Sequence, residues 1–480
     1  MTIRRYVANK DTTITNAYKE NLITRATDAN MGESDALEVF SLYAQATTSS
    51  LEASRILVQF PIDQIVADRT AELVPGSGSV HFVMKLSNCT HPFTLPKKYS
   101  LTVSPLSRSW DEGYGLDMEG YKDIGTANWL SASSTQAWTT EGGDYYTGSE
   151  VSKYFETGVE DLEVDITDIV EQWIAGDIPN NGVIVRLSGS LESDTRSYYT
   201  KKFFARGSEY FFKRPWIEAR YDATVKDDRG KFYLYNPFVP VEASYNHLYI
   251  YNRFKGTLYD LPTVGTGNIY VQLYEETALP LGTPIPLITG SGYVTSSITT
   301  ATGSWVSTGI YECQIAVDTE LTTVYDIWFD GSGSAIGVGG DLEVINSDSE
   351  ESFTKSGFVV AIKNLKQKYE TSENARLHLF IRPANWNPNS YTSLNTEPQT
   401  EIVEDMYFKV VRIADDLEVI PFGTGSHHHT RLSFDKNGNY FDLHMNLLEP
   451  GYTYGIKFTI CDAGEYYENK QLFKFRVEEA

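Results

Sequence analysis

Three consecutive histidines, His427, His428 and His429, are the residues of this 480-residue chain whose type best suits a metal ion. Neutral imidazole nitrogens bind Zn²⁺, Cu²⁺ and Ni²⁺. Adjacent residues in an extended loop point to alternating sides, however, and no carboxylate or thiol lies beside these three at ligand spacing. We therefore interpret them as an exposed polar loop and predict no metal site. The alternative is a metal ion that several subunits share around an oligomer axis.

Two other segments resemble binding loops only in part. Residues 435–442, DKNGNYFD, begin like a calcium loop but lack the Gly at the sixth position and the Glu at the twelfth. Residues 330–337, DGSGSAIG, are rich in glycine but lack the Lys-Thr or Lys-Ser ending and the following helix of a phosphate loop. Both segments are predicted to be turns of β-hairpins or linkers.

Motifs of catalysis are missing from the sequence. Carboxylate pairs such as Asp111–Glu112 and Glu160–Asp161 identify no acid and base partners, because the chain has 64 acidic residues. Gly-x-Ser-x-Gly, His-Glu-x-x-His and Cys-x-x-Cys do not occur. The thiols of Cys89, Cys313 and Cys461 are far apart and odd in number, which indicates small buried side chains. We predict no catalytic residue, no cofactor and no enzyme activity.

The charge of the chain restricts its partners. A formal charge of −24 and a pI of about 4.8 predict no nucleic-acid binding and no attraction to an anionic membrane surface. Apolar runs such as residues 358–362 are far shorter than the roughly 20 residues that span a bilayer. A basic patch at residues 201–206, with Lys213–Arg214, could dock an acidic face of a neighbouring subunit; a strand with solvated charges is the alternative.

Tyrosine is abundant, with 32 residues and doublets at 145–146, 198–199 and 466–467. A large ring with a polar tip suits a sandwich core, a subunit interface or stacking on a sugar. Alternating positions in a core are the interpretation that we prefer, and the other two stay open.

Short segments with alternating apolar residues dominate the chain and predict an all-β fold. Examples are residues 80–86, 248–251, 269–273, 376–381 and 407–411. One helix is predicted at residues 167–176, where Asp168 and Glu171 have capping-box spacing, Trp173 joins the apolar face and Gly176 ends the helix.

An internal repeat suggests the domain organisation. Residues 304–329 align without gaps on residues 433–458, with seven identical positions. In both copies Tyr-x-Ile-x-Phe forms a period-two face after a hairpin glycine, and Asn437-Gly438 suits a type I′ turn. A second correspondence, of residues 251–255 with 362–366, requires about 18 extra residues, which residues 383–398 can hold.

A length of 480 residues favours about three domains. Counting repeat lengths back from the last residue places boundaries near residues 222 and 351. The predicted domains are therefore residues 1–222, a jelly-roll sandwich with a short helix, and residues 223–351 and 352–480, two immunoglobulin-like β-sandwiches. The second boundary falls in the acidic linker at residues 346–352.

The first 222 residues resemble the DNRLRE, or disaggregatase-related, family of jelly-roll modules, which is grouped with carbohydrate-binding modules. The segments that carry this resemblance are residues 55–61, residues 101–113 with Trp-x-Glu-Gly at the end, Trp129, Trp138, residues 165–173 and residues 180–186. The resemblance implies a jelly roll with a short helix, and the sugar-binding members of the family imply a glycan site. No residue of this chain carries over as a sugar contact.

The order of domains, a jelly-roll module followed by two immunoglobulin-like sandwiches, resembles that of structural proteins of large tailed bacteriophages, especially contractile-tailed marine phages. Segments such as residues 251–256 and 429–435 add to this resemblance. This resemblance implies a virion component, made in the host cytoplasm, in a fibre, neck, collar, tail or capsid decoration. Its partners would be other virion proteins in an oligomer. The alternative is an adhesin whose N-terminal module binds a host-surface glycan.

Overall fold

A computed structural model of the chain describes residues 3–90, 96–121, 123–236, 238–276, 282–288, 298–319, 323–345, 357–384, 400–462 and 464–480. Strands hold 43% of the residues and helices 8%, which confirms the all-β prediction. The chain folds into two compact units. We call Thr2–Asp222 with Gly425–His429 the N-terminal unit, and Ala223–Thr424 with Thr430–Ala480 the C-terminal unit.

The N-terminal unit is a β-sandwich with three short helices in its described part. Its strands are β1 Ile3–Val7, β2 Lys10–Thr15, β3 Ala36–Tyr43, β4 Leu51–Gln59, β5 His81–Leu86, β6 Tyr99–Pro105, β7 Val151–Phe155, β8 Leu162–Asp165, β9 Val183–Leu187, β10 Tyr198–Phe204 and β11 Trp216–Arg220. Its helices are α1 Ile62–Thr70, α2 Thr167–Ala175 and α3 Gly189–Glu192. One sheet has the order β1-β11-β5-β8, and the other has the order β10-β3-β4-β9-β6-β7, with β2 paired to β4.

One apolar core lies between these two sheets. Alternate residues of facing strands, such as Ile56 and Val58 on β4 and Phe82 and Met84 on β5, belong to a single buried cluster. This is the arrangement that period-two alternation predicts for a sandwich. Within the described residues, no helix is long and apolar enough to cross a membrane.

Helix α2 confirms the predicted helix, with a different N-cap residue. Ile166 is the N-cap and gives no side-chain cap, so the capping box of Asp168 and Glu171 is wrong. Glu171 instead pairs with Arg69 at 2.7 Å. Trp173 is buried in the core, and Gly176 ends the helix with a φ of +78°.

The C-terminal unit contains two sets of strands. The first is β12 Phe232–Tyr233, β13 Asn246–Tyr251, β14 Arg253–Phe254, β15 Thr257–Leu258, β16 Ile269–Tyr274, β17 Ala301–Ser307, β18 Ile310–Ile315, β19 Thr323–Phe329 and β20 Ala335–Ile345. The second is β21 Phe358–Ile362, β22 Lys368–Glu370, β23 Asn374–Pro383, β24 Met406–Arg412, β25 Leu417–Ile420, β26 Ser433–Asp435, β27 Gly438–His444, β28 Thr453–Asp462, β29 Glu465–Glu468 and β30 Phe473–Glu478. Short 3₁₀ turns complete the described part of the chain: Phe211–Lys213 in the N-terminal unit, and Asp228–Gly230, Val241–Ser244 and Met445–Leu447 in the C-terminal unit.

Each set of strands forms its own ladders. The first set has the order β12-β20-β19-β16-β17-β18-β13 beside a β14-β15 hairpin, and β17 pairs with β16 through its first half and with β18 through its second. The second set has the orders β21-β23-β27-β26 and β22-β30-β28-β24-β25, with β29 beside β28. The division at residues 222 and 351 stays a prediction, and residues 346–356 lie outside the described part of the chain.

The two sets share one design. In each, an early strand pairs in parallel with the last: the first strand of the first set, β12, pairs with β20, and the second strand of the second set, β22, pairs with β30. In each, a hairpin precedes the central strand, β17–β18 before β19 and β26–β27 before β28. Strand β13 pairs with β18 and β23 pairs with β27, so β13 corresponds to β23. The correspondence of residues 251–255 with 362–366 is therefore wrong, and most of the loop proposed to hold the extra residues, 385–398, lies outside the described residues.

The register of the repeat differs from the sequence alignment by one residue. In the first set the inward residues of β18 and β19 include Tyr311 and Trp328. In the second set Phe441 stacks on Phe408 with ring centroids 4.4 Å apart and meets the edge of Phe458 at 5.9 Å. Equivalent inward residues are thus 130 positions apart, whereas the alignment placed them 129 apart. Because a slip of one residue reverses the faces of a strand, Tyr-x-Ile-x-Phe faces the core only in the second set.

The positions of the two hairpin glycines account for the one-residue difference between the alignment and the structural register. Gly309 lies in the turn between β17 and β18 with a φ of +71°. Gly438 has a φ of +107° but already pairs with Asp435 as the first residue of β27. Neither Lys436 nor Asn437, the turn residues, has a positive φ, so the predicted type I′ turn at Asn437-Gly438 is wrong.

Candidate metal centre

His81 and Asp165 meet on the outer face of the four-stranded sheet of the N-terminal unit. His81 is the first residue of β5, and Asp165, the last of β8, lies opposite Val83. His81 and Asp165 are therefore diagonal neighbours on one face of the sheet. The Nδ1 atom of His81 lies 3.3 Å from Oδ2 of Asp165, and both side chains are about half exposed.

Thr167 holds Asp165 in place. Oδ1 of Asp165 accepts hydrogen bonds from the backbone N–H of Thr167 at 2.9 Å and from its hydroxyl at 2.5 Å. The same hydroxyl oxygen accepts the N–H of Phe82, the neighbour of His81, at 2.8 Å. Partial burial raises the pKa of Asp165, but the hydrogen bonds from Thr167 and His81 outweigh it and hold that pKa below its usual value.

His427 completes the group from the loop Gly425–His429, which belongs to the N-terminal unit. Its ring centroid lies 3.9 Å from that of His81. The ligand atoms of His81, Asp165 and His427 all lie within 4.8 Å of one another. Nδ1 of His427 is buried and makes no hydrogen bond to the described residues. Burial, followed by the proximity of His81 and Arg220, lowers the pKa of His427.

A ladder of charges lies on the same face of the sheet. Glu218 is buried and pairs with Arg5 at 2.6 Å and with Arg220 at 2.7 Å, and Arg220 also reaches Glu163 at 2.7 Å. His429 is buried beside this ladder, and burial, with a smaller contribution from Arg220, lowers its pKa to about 4.

Of His81, Asp165 and His427, the sequence analysis identified only His427. It singled out His427 because three histidines are adjacent, and it placed any further ligand in other subunits. The expectation that no carboxylate accompanies these histidines holds along the chain but is wrong in space, since Asp165 is close to His427. His81 and Asp165 carry no local signal, because each is an ordinary polar residue at the end of a strand. Only their diagonal register brings them together.

The two loops that resembled binding loops are hairpins, as predicted. Residues 435–442 form the turn and second strand of β26–β27, and Asp442 pairs with Arg376 at 2.7 Å. The glycine-rich residues 330–337 form the turn after β19 and the start of β20, and Oδ1 of Asp330 accepts the N–H groups of Ser332 and Ser334 at 2.9 and 3.0 Å. These carboxylates are occupied by structural hydrogen bonds.

The predicted basic patch at residues 201–206 is wrong. Lys201 is 1% exposed, and its ammonium donates to the carbonyl oxygens of Gly158 at 2.9 Å and Glu160 at 2.6 Å. Its third acceptor is Oδ1 of Asn88, at 2.5 Å. The other cations are paired as well, Lys202 with Glu38 and Arg206 with Glu112. The alternation of β10 points Lys201 into the unit, so no cluster of free cations forms there.

Replacing Lys201 by methionine is expected to lower the free energy of unfolding by about 2 kcal/mol at pH 7, because three buried acceptors lose their donor while the packing volume is kept. Urea unfolding measures this loss. Lys202→Met, on the neighbouring position, is the control and should cost less than about 1 kcal/mol. Equal stability of the two variants would contradict the structural role of Lys201.

The same residue gives the protein a pH dependence. Burial lowers the pKa of Lys201 to about 8, below the value of about 10.4 in an unfolded chain. Between these values the unfolded state binds more protons, so this residue makes stability rise with pH. Lys201→Met should lack that rise.

Few of the singled-out aromatic and thiol groups are free. Tyr145 packs under Arg186 with 4.6 Å from the guanidinium carbon to the ring centroid, and Tyr198 donates to Asp194 at 3.2 Å. Tyr466 is half exposed. Cys313 is buried, as predicted, and burial raises the pKa of its thiol to about 12. Cys89 and Cys461 are partly buried free thiols.

Comparison with known proteins adds little to this geometry. No protein-family model and no curated protein matches the chain. Among solved structures, the Yersinia pseudotuberculosis adhesin InvE is 12% identical with a TM-score of 0.15, over 48% of this chain and 54% of that one. The four N-terminal Ig domains of Dscam1 isoform 9.44, solved with zinc, are 9% identical with a TM-score of 0.13, over 49% of this chain and 44% of that one. The chain thus spans about half the length of each.

Proposed function

We propose that the chain is a noncatalytic structural component of a phage virion, in a fibre, neck, collar, tail or capsid decoration, that assembles with other virion proteins. The resemblance of the sequence to phage structural proteins motivates the virion. An exposed apolar surface on the N-terminal unit supports assembly with a protein partner, and it is the observation on which this proposal rests.

This surface, which we call the loop patch, comprises Leu22, Ile23, Tyr114, Leu116, Tyr121 and Ile124. Ile23 is 81% exposed and Tyr114 is 80% exposed. Two loops contribute to the patch, and the N–H of Glu20 joins them by donating to Oε1 of Glu119 at 2.8 Å. Exposed apolar side chains grouped in neighbouring loops are typical of interaction sites.

Hydrogen bonds within the loop patch hold it in one shape. Oδ1 of Asp117 accepts the N–H groups of Glu119, Gly120 and Tyr121 at 2.8, 2.9 and 3.0 Å. The N–H of Tyr114 donates to Asp123 at 3.1 Å. A preformed patch costs less ordering entropy on binding. The partner that it suits presents an apolar face of its own.

Mass spectrometry of purified virions tests the proposal. We expect the chain among the proteins of virions of the phage that encodes it, and its absence would contradict the proposal. The double variant Tyr114→Ser with Ile124→Ser should enter virions about 10-fold less, a loss equivalent to about 1.4 kcal/mol of binding. Tyr154→Ser, which changes an exposed tyrosine on β7, is the matched control and should enter as the wild type does.

A glycan-binding adhesin is the alternative, and a cavity of about 480 Å³ in the N-terminal unit favours it. Hydroxyl, carboxylate, guanidinium and aromatic groups, which suit a sugar, line it: Ser107, Arg108, Thr139, Thr140, Asp144 and Tyr145. Trp110, Trp129 and Trp138 are buried in a cluster of their own and are not available for stacking.

A glycan array probed with the full chain tests this alternative. Binding that Arg108→Ala removes, and that the loop-patch variant keeps, would support the cavity as a sugar site. An array without signal would contradict it.

A further inference from the structure

We propose that His81, Asp165 and His427 bind one divalent transition-metal ion per chain, with Zn²⁺ as the preferred ion. This inference is independent of the proposed function, because it rests on three side chains within the N-terminal unit.

The spacing of the ligand atoms fits a small tetrahedral ion. Zn²⁺ binds imidazole nitrogen and carboxylate oxygen at about 2.1 Å, which places neighbouring ligand atoms about 3.4 Å apart in a tetrahedron. Nδ1 of His81 and Oδ2 of Asp165 are 3.3 Å apart, and all three groups have ligand atoms within 4.8 Å of one another.

The types of the ligands select the class of ion. Two imidazoles with one carboxylate suit Zn²⁺, and Ni²⁺ and Cu²⁺ as competitors. Ca²⁺ and Mg²⁺ prefer sets of oxygen ligands. Three protein ligands leave a fourth position for water or for a group of a partner.

The surroundings of the three ligands are those of a metal site. Thr167 binds Oδ1 of Asp165 and leaves Oδ2 directed at His81, which is the role of an outer-shell residue. A buried imidazole nitrogen without a hydrogen bond, such as Nδ1 of His427, is costly unless a ligand or water satisfies it.

The nearby positive charge does not oppose the ion strongly. Arg220 lies on the same face, but Glu218 and Glu163 each pair with it at 2.7 Å. The carboxylate of Asp165 then balances part of the charge of a bound dication.

Titration of the untagged full chain with Zn²⁺, after removal of metal by EDTA, tests the proposal. We expect one ion per chain by calorimetry and by elemental analysis, and bound Co²⁺ should show the strong visible absorption of a tetrahedral site. His81→Gln and His427→Gln should each weaken binding by about 100-fold or more, since loss of an outer-shell partner alone costs 10–100-fold.

His428→Gln is the matched control, because His428 lies in the same loop but outside the group of three. It should bind Zn²⁺ as the wild type does. Binding lost in His428→Gln and kept in His81→Gln would overturn the proposal in favour of a site shared among subunits by the three adjacent histidines. Binding unchanged in both His81→Gln and His427→Gln would also overturn it.

Circular dichroism and thermal melting of the metal-free variants show whether each one is folded, so that the loss of a metal ligand can be distinguished from unfolding. Asp165→Asn provides a second variant, since its amide oxygen can still accept the hydrogen bonds of Thr167 while the charge is removed. We expect it to fold as the wild type does and to bind Zn²⁺ about 10-fold more weakly. Equal affinity would contradict the role of Asp165 as a ligand.

Discussion

Replacing Asp326 by alanine is expected to lower the free energy of unfolding of the C-terminal unit by about 3–5 kcal/mol, the cost of breaking a buried ion pair. Asp326 is fully buried and accepts hydrogen bonds from Nη1 and Nη2 of Arg229 at 2.7 and 2.5 Å. Its Oδ2 also accepts from Nε1 of Trp328 at 2.5 Å. Alanine would leave three buried N–H donors, two of Arg229 and one of Trp328, without this acceptor.

The second carboxylate near Arg229 cannot replace the first. Asp227 lies 3.5 Å from Nε of Arg229, on the opposite edge of the guanidinium from Asp326's two hydrogen bonds. Burial raises the pKa of Asp227 to about 7, in spite of the attraction of Arg229.

Urea unfolding of the full chain measures the effect of Asp326→Ala as a shift of the midpoint at constant slope. The control is Asp341→Ala, which removes a pair between the exposed side chains of Asp341 and Lys436 in the same unit. That variant should lose less than about 1 kcal/mol. A loss below about 1 kcal/mol for Asp326→Ala as well would show that the buried pair contributes no more than a surface pair.

Replacing Gly182 by alanine is expected to cost about 2–6 kcal/mol, because a conformational penalty and a steric penalty add. Gly182 has a φ of +83°, where a side chain is strained by about 1–3 kcal/mol. A Cβ there would also lie 2.2 Å from the carbonyl oxygen of Val58 and 2.8 Å from Cα of Gln59. Both atoms belong to the backbone of β4, so neither can rotate away, and the backbone shift adds about 1–3 kcal/mol.

Gly176→Ala is the control that separates these penalties. Gly176 has a φ of +78°, and a Cβ there would meet no atom within 4 Å. It carries the conformational penalty alone, so it should be less destabilising than Gly182→Ala by about 1–3 kcal/mol. Thermal or urea unfolding of both variants gives the difference. Equal losses would mean that β4 yields to the added methyl group without cost.

Local patterns along the sequence predicted many elements of this fold, but not helix α1 or helix α3. Alternating apolar residues predicted strands such as β16 and β24, and the 3.6-residue spacing of Ile169, Val170 and Trp173 predicted α2 with its end at Gly176. Each of these signals arises within a few neighbouring residues, because side chains repeat on one face every 2 residues in a strand and every 3.6 residues in a helix. The all-β class follows from the number of such segments.

The same local patterns failed where both faces of a strand are buried. Asp326, Ile327 and Trp328 are consecutive residues of β19 and are all buried. Alternation then gives no sign of which residues face the core, so an alignment on Tyr-x-Ile-x-Phe chose the wrong face. The prediction of a basic patch at Lys201 was wrong for a different reason. A lysine within a strand normally indicates an exposed face, but Lys201 is buried.

What the sequence by itself determined about this protein is many of its strands, its helix α2 and the absence of known catalytic motifs, because each of these depends on residues close together along the chain. Only the tertiary structure decided which polar residues meet. His81 and Asp165 are brought together by the register of β5 and β8, and His427 reaches them from a loop that packs with the N-terminal unit. Such contacts depend on strand pairing between distant segments, which no spacing within one segment encodes.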